Sequence, residues 1–494
     1  MKFGAKIGII GSGIGGLAAA VQLASRGYEV QLFEKEAQPG GKIAQFRKDG
    51  FRFDMGPSLF TLPSLLDEVL QLDPKSGQSD FSYRALDVIC RYFYPDDTFI
   101  DAYRDTGKFA EEIEVKTGVP AEKVRKYLRQ SAEIYDLTKD VFIFNDLKDL
   151  RNFINIRTLR SLLQAWKLKP FKTLHEANHQ AFHNAKVVQL FDRFATYNGS
   201  NPFMAPATLK VIPHLEHNIG AYFPSKGMYS IVEKLVQVAE RSGVEFHFSE
   251  EVRAVDIQGG KFRGIETAKG SYSFDALISD TDVNTFGRLT GQLHGKRGTK
   301  ENRLSSSAII FYWGMKISQP DLKLHNILFS GDYQHEFDCI FHHKTITDDP
   351  TIYIFISSRE VPEDAPPGHE NWYVMINAPE NNGQDWDDIV DRVRENILKK
   401  INRMLHMDLK RHLLFERVTT PATIEKETGS YRGALYGMNS NSITAAFRRH
   451  PNYLRSVKGL YFVGGSVHPG GGIPLCLASA RIVADQFPEN KPEK

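Results

Sequence analysis

Apolar positions along the chain change period in a regular order, and that order predicts a mixed α/β fold. Ala5 to Ile10 is a short, nearly continuous apolar run suited to a buried parallel strand. Leu17 to Arg26 follows with a helical pattern ended by Gly27, and Glu29 to Phe33 reads as a second strand. In the middle of the chain, Gly227 to Ala239 is an amphipathic helical pattern, followed by strand patterns at Val244 to Phe248, Val252 to Ile257, Phe262 to Thr267 and Ala276 to Ser279. Gly259-Gly260 marks a turn among them. Aromatic, alternating strands recur at Ala308 to Trp313 and Thr351 to Ser357, ahead of a charged helix around Trp386 to His406, which predicts a sheet covered by helices. Near the end, Gly459 to Val463 is again a buried-strand pattern; it breaks into glycines and then enters a helix of small residues, Leu475 to Ala484.

The first strand and helix are joined by Gly11-Ser12-Gly13-Ile14-Gly15-Gly16. Gly11 permits a tight turn, Gly13 lets backbone come close to a pyrophosphate, and Gly16 lets the helix pack on the strand. The helix N-terminus offers free N–H donors and positive dipole to phosphates. Glu34 ends the second strand, 18 residues after Gly16, where a carboxylate accepts hydrogen bonds from ribose hydroxyls. This order of strand, turn, helix, strand and acid predicts a Rossmann-type dinucleotide site and leaves NAD and FAD both open. No second fingerprint of this kind occurs, so no separate NAD(P)H site is expected.

Composition narrows the picture. The 494 residues carry a net charge of only +2, which gives no general reason to expect nucleic acid. Cys90, Cys339 and Cys476 are far apart and odd in number, so neither a disulfide framework nor a metal centre is expected. Glycines interrupt the apolar run Ile7 to Ala24, which excludes a membrane span there, and the predicted location is cytoplasmic. Arg151 to Lys172 is different: it has basic and apolar residues with Trp166 but no acid, the pattern of a helix lying in an anionic headgroup layer. It predicts peripheral attachment to the inner face of the cell membrane.

Two further motifs bear on the cofactor. Pro39-Gly40-Gly41-Lys42 resembles the extension that follows the second strand in the amine oxidase and phytoene desaturase superfamily of flavoproteins, and Phe53-Asp54-Met55-Gly56-Pro57-Ser58 resembles its next motif, near the flavin. Gly464-Gly465-Ser466-Val467-His468-Pro469-Gly470-Gly471-Gly472-Ile473-Pro474 resembles the C-terminal signature of bacterial carotenoid desaturases. The resemblance spans essentially the whole chain and implies FAD. It implies cofactor contacts from Gly11, Gly13, Ile14, Gly15, Gly16, Glu34, Lys35, Gly40, Gly41, Lys42, Gly56, Pro57, Ser58, Gly464, Gly465, Gly472, Ile473 and Pro474, with Val252 holding the adenine through its backbone. It also implies an FAD domain drawn from residues 1–70, 221–299 and 451–494, a helix-rich substrate and membrane region at 71–220, and a substrate-binding domain at 300–450.

Within the family, Gly56 to Pro63, Tyr92 to Thr98, Tyr197 to Pro202 and Pro213 to His217 look most like the branch that desaturates 1-hydroxycarotenoids at the 3,4 bond. Gly465-Ser466 and Leu475-Cys476 depart from the commoner pattern. The implied chemistry is hydride removal from a carbon beside the polyene to the flavin, with proton loss from its neighbour and reoxidation by oxygen or a quinone. It asks for alignment and exclusion of water more than for a strong base. His468, Glu216 and His217 are the polar candidates for proton handling or for meeting a terminal hydroxyl. Other readings are a phytoene desaturase, carotenoid isomerase, retinol saturase or amine oxidase of the same superfamily, or a non-enzymatic prenyl-lipid escort protein.

Overall fold

The computed structural model describes residues 4–75, 81–145, 171–290 and 303–489. Five short strands form one parallel sheet in the order Glu245–His247, Glu29–Phe33, Lys6–Ile10, Ala276–Ser279 and Leu460–Phe462. The chain thus returns twice, over very long separations, to complete a sheet that its first residues begin. Both faces are covered, as the apolar runs require. Ile7, Ile9 and Ile278 belong to the core shared with the helices Ile14–Ser25, Ser230–Arg241 and Ile473–Ala484. Ile10, Phe33 and Leu277 belong instead to a second core with Val252, Phe262 and Ile265 of a three-stranded antiparallel sheet.

The other large sheet has seven strands, in the order Leu413–Thr419, Ser307–Met315, Glu370–Ala378, Ile352–Ile356, His325–Leu328, Val88–Phe93 and Phe99–Tyr103. Its last two strands come from the region expected to be helix-rich. Strand period separates its faces. Phe311, Trp313, Ile354, Trp372 and Val374 face the helix Trp386–Met404, while Tyr312, Tyr373, Phe355, Ile327 and Tyr92 face the core continuous with the dinucleotide sheet.

A buried ion cluster ties the two parts together. The Arg52 guanidinium donates to Asp364 at 2.6 and 2.8 Å and to Asp54 at 2.8 Å. Asp54 also accepts the N–H groups of Met228 and Tyr229, just before the helix Ser230–Arg241. Gly227 is obligatory there: its φ is +84° and a side chain would strike Arg52 and Asp54.

Among the described residues no helix is long and apolar enough to cross a membrane. The basic segment Arg151 to Lys172 lies outside the described residues except for exposed Phe171 and for Lys172.

Replacing Asp364 by Ala removes two of the buried Arg52 hydrogen bonds and leaves Asp54 as its one carboxylate partner, and breaking a buried pair costs up to about 3–5 kcal/mol. The variant is expected to show a clearly lowered thermal unfolding midpoint; a midpoint unchanged from the parent would contradict the clamp.

Candidate cofactor and substrate site

The glycine turns converge as steric necessity demands. Gly11 has φ +94° and its N–H bonds the Phe33 carbonyl at 2.8 Å, so the turn starts at the ends of the first two strands. A side chain on Gly16 would collide with the Gly11 carbonyl, and one on Gly15 would lie 2.8 Å from the Gly464 nitrogen. The N-terminal turn of the chain therefore packs directly on the C-terminal one. Gly40 donates to the Ser12 carbonyl at 3.0 Å, Gly41 lies beside Gly13, and Gly56, with φ +90°, fits under the Lys42 carbonyl. Gly472 precedes the helix Ile473–Ala484, whose first turn holds Ile473 and Pro474. Gly13, Gly41, Lys42, Gly56, Pro57, Ser58, Gly465 and Gly472 all keep partial or full exposure despite this packing.

Glu34 is buried, and its carboxylate is held by the N–H and hydroxyl of Ser12 at 2.9 and 2.6 Å and by the Glu36 N–H at 3.0 Å. Glu250, just ahead of Val252, donates its N–H to the Glu34 carbonyl at 2.8 Å, so Val252 starts its strand next to this acid. The ammonium of Lys42 donates to the Leu435 carbonyl at 2.7 Å, and loss of hydration lowers its pKa. Lys35 points elsewhere, to the Lys426 carbonyl at 3.1 Å and to Glu36.

Sequence reasoning missed Asp280, the first residue after the strand Ala276–Ser279. Its carboxyl lies close to the N–H groups of Gly13 and Gly16, and side chains on Gly13, Gly15 or Gly464 would strike it. A carboxyl group thus already sits against the helix N-terminus that suits phosphate. The residue keeps a narrow opening to solvent, but loss of hydration, opposed by those N–H groups, pushes its pKa up to about 7. The same dipole, the same donors and the glycine walls fit the diphosphate of FAD.

The three polar candidates are spread out. Buried His468 bonds the Asn145 carbonyl through Nε2 at 2.9 Å. Glu216 is buried between Arg193, at 3.4 Å, and the Tyr197 hydroxyl; burial raises its pKa. His217 stacks on Phe109 with centroids 4.5 Å apart, and burial holds its pKa down at about 3, so it is neutral. Arg193 also reaches the Tyr92 hydroxyl at 2.7 Å. The Ser58 hydroxyl meets Tyr353 Oη at 2.5 Å, and Tyr373 donates to the Gly56 carbonyl at 3.3 Å, which places the inward face of the large sheet against the Gly56 turn.

FAD binding is expected to weaken as pH rises above about 7. There the Asp280 carboxylate ionises beside the diphosphate, Glu34 and Asp282 add negative charge, and Lys42 is the nearby cation. The loss is at most about tenfold per pH unit for one proton. Fluorescence titration of FAD into the Asp280→Asn variant should give a flatter profile; an equally steep one would contradict this role.

A family model described as "Flavin containing amine oxidoreductase" matches residues 14–487. The chain is 45% identical over 481 residues, 97% of its length and 98% of the relative's, to a 1-hydroxycarotenoid 3,4-desaturase of Flavobacterium sp. (strain P99-3). It is 29% identical over 98% of its length, and 97% of the relative's, to a 4,4'-diaponeurosporene oxygenase of Staphylococcus haemolyticus (strain JCSC1435). An oxidoreductase from Methanosarcina mazei shares the fold with a TM-score of 0.61 at 16% identity, covering 97% of this chain and 100% of that one. Putrescine oxidase bound to putrescine shares it at 0.60 and 13%, covering 99% of each chain. With its converging glycine turns and a family match along nearly all its length, this chain belongs to the flavin-containing amine oxidoreductases, and FAD is its cofactor.

Proposed function

We propose that the enzyme desaturates an acyclic carotenoid hydroxylated at C1, forming the 3,4 double bond. The observation that carries this reading is the 45% identity, over 97% of the chain, to a 1-hydroxycarotenoid 3,4-desaturase. Bound FAD supplies the acceptor for a hydride. What the chain supplies is alignment and dryness. Tyr312, Tyr373 and Phe355 form a cross-strand aromatic row on the inward face of the large sheet, suited to a flat polyene, and Tyr353 and Met375 beside it keep partial exposure. Water kept from this face cannot trap the developing cation.

Proton handling falls to few groups. His468 Nε2 is engaged by the Asn145 carbonyl and Glu216 by Arg193 and Tyr197, whereas neutral His217 has both ring nitrogens without a partner among the described residues. In this reading Glu34 and Val252 hold the adenosine half of FAD, and the turns at Gly40–Lys42, Gly56–Ser58 and Gly464–Pro474 line its flavin half. Oxygen or a quinone reoxidises it. Peripheral attachment to the inner face of the cell membrane, through Arg151 to Lys172, follows from the substrate: lipid tails are as apolar as a pocket, so a mouth opening into the bilayer shortens the polyene's path.

The 29% identity to diaponeurosporene oxygenases favours a second reading, oxidation of a polyene terminus. Mixing FAD-loaded protein anaerobically with liposomes carrying a 1-hydroxylated acyclic carotenoid tests the desaturase reading. Flavin bleaching with a red-shifted polyene band is the expected result. A shifted polyene without net flavin reduction indicates isomerisation, and bleaching by amines but not by carotenoids would overturn the proposal.

A further inference from the structure

One polar group on the inward face of the large sheet is left unexplained by packing. His325, Phe355, Tyr373 and Tyr312 are register partners across four strands, and Tyr353 lies one residue pair further along the same face. Aromatic and apolar side chains fill nearly all of this face. His325 is 2% exposed and its ring stacks on Phe355 with centroids 5.3 Å apart. Its Nδ1 lies 2.7 Å from Tyr353 Oη, and its Nε2 has no partner among the described residues. A buried polar atom without a partner costs about 1–3 kcal/mol, and a leucine or phenylalanine in its place would avoid that cost. What the imidazole does achieve is to fix the Tyr353 hydroxyl.

That hydroxyl is shared. Loss of hydration, and then Arg193, hold the His325 pKa down at about 3, so its ring is neutral. Nδ1 accepts the Tyr353 proton when Nε2 carries the ring hydrogen. Tyr353 Oη in turn accepts the Ser58 hydroxyl at 2.5 Å, and one lone pair on the phenol oxygen is still unused. Unlike His325, both Tyr353 and Ser58 keep partial exposure. This place adjoins the cofactor turns. Ser58 follows Gly56, whose carbonyl accepts the Tyr373 hydroxyl, and Tyr436 packs on Gly471 of the C-terminal glycine run.

We propose that Ser58 and Tyr353, oriented by His325, form the seat for the hydroxyl of the carotenoid substrate and so set the preference for hydroxylated over plain polyenes. The inference rests on the desaturase reading. A C1 hydroxyl is only a few bonds from the 3,4 bond, so whatever receives it has to stand beside the flavin wall and not at the far end of the pocket. The Arg193–Glu216–Tyr197 cluster is a poorer seat, because the Glu216 carboxylate is already engaged by both of its neighbours. Tyr353 and Ser58 are binding residues in this scheme, and His325 is a positioning residue.

The test compares two substrates in one preparation: a 1-hydroxylated acyclic carotenoid and its non-hydroxylated parent, each in liposomes, with kcat and KM measured separately. Tyr353→Phe keeps the ring and the fold. It is expected to lower the ratio of kcat/KM for the hydroxylated carotenoid to kcat/KM for its non-hydroxylated parent about 10- to 100-fold, and to leave FAD content and the flavin spectrum as in the parent protein. His325→Leu should lose the preference in the same way, while His325→Gln, which keeps a hydrogen-bond partner for Tyr353, should largely retain it. Because the readout is a ratio within each preparation, a partly unfolded variant still reports. An unchanged ratio in Tyr353→Phe would overturn the proposal, as would a parent protein that turns over both carotenoids equally; either leaves the desaturase reading standing. A parent protein active on neither carotenoid sinks that reading and the proposal with it.

Discussion

Close approach of backbone to backbone around the end of the strand Lys6–Ile10 is the constraint on which the rest of the molecule depends. Gly15 and Gly464 come from opposite ends of the chain, and there is no room for a side chain between them. Asp280 lies against Gly13, Gly15 and Gly464 in the remaining space. The parallel pairing of Ala276–Ser279 with both Lys6–Ile10 and Leu460–Phe462 brings these three segments together. A dinucleotide fits here because its diphosphate needs the same things a carboxyl does: N–H donors, positive dipole and no Cβ in the way.

The large sheet solves a different problem with one strand period. Its outward side chains bury against the helix Trp386–Met404, and its inward ones present aromatic rings toward the cofactor turns. The Arg52 cluster holds the strand Phe51–Met55, the start of the helix Ser230–Arg241 and the Asp364 turn in one arrangement, so the two sheets keep a fixed spacing. A reaction that depends on placing a C–H bond against a flat ring profits from such rigidity more than from an added base.

Much of this was legible in the sequence because it is local. The Gly11–Gly16 turn carries its steric reason within a few residues, Gly16 lying against the Gly11 carbonyl, Glu34 and the Gly464–Pro474 run stand out as local patterns, and the elements found match those expected to within a few positions. The remainder depends on register between distant segments. Nothing near Asp280 announces that its carboxyl meets Gly13 and Gly16; only the strand pairing does so. The same holds for His325 and Tyr353, whose contact exists because two strands are antiparallel neighbours. Val88–Phe93 and Phe99–Tyr103 follow the short strand Tyr83–Ala85 in a region whose later described residues are helical, and their place at the sheet edge follows from pairing with His325–Leu328. Lys35, expected at the cofactor, follows Glu34 in the chain but leaves the strand end facing outward, toward Lys426.

The central claim is that the enzyme removes hydrogen from a carotenoid and adds nothing to it. Mass spectrometry of the product formed in air from a 1-hydroxylated acyclic carotenoid tests this most directly. Loss of two hydrogens with no oxygen gained is the predicted result; a product carrying an added oxygen would contradict it and assign the chain to the oxygenase chemistry named for its more distant relatives.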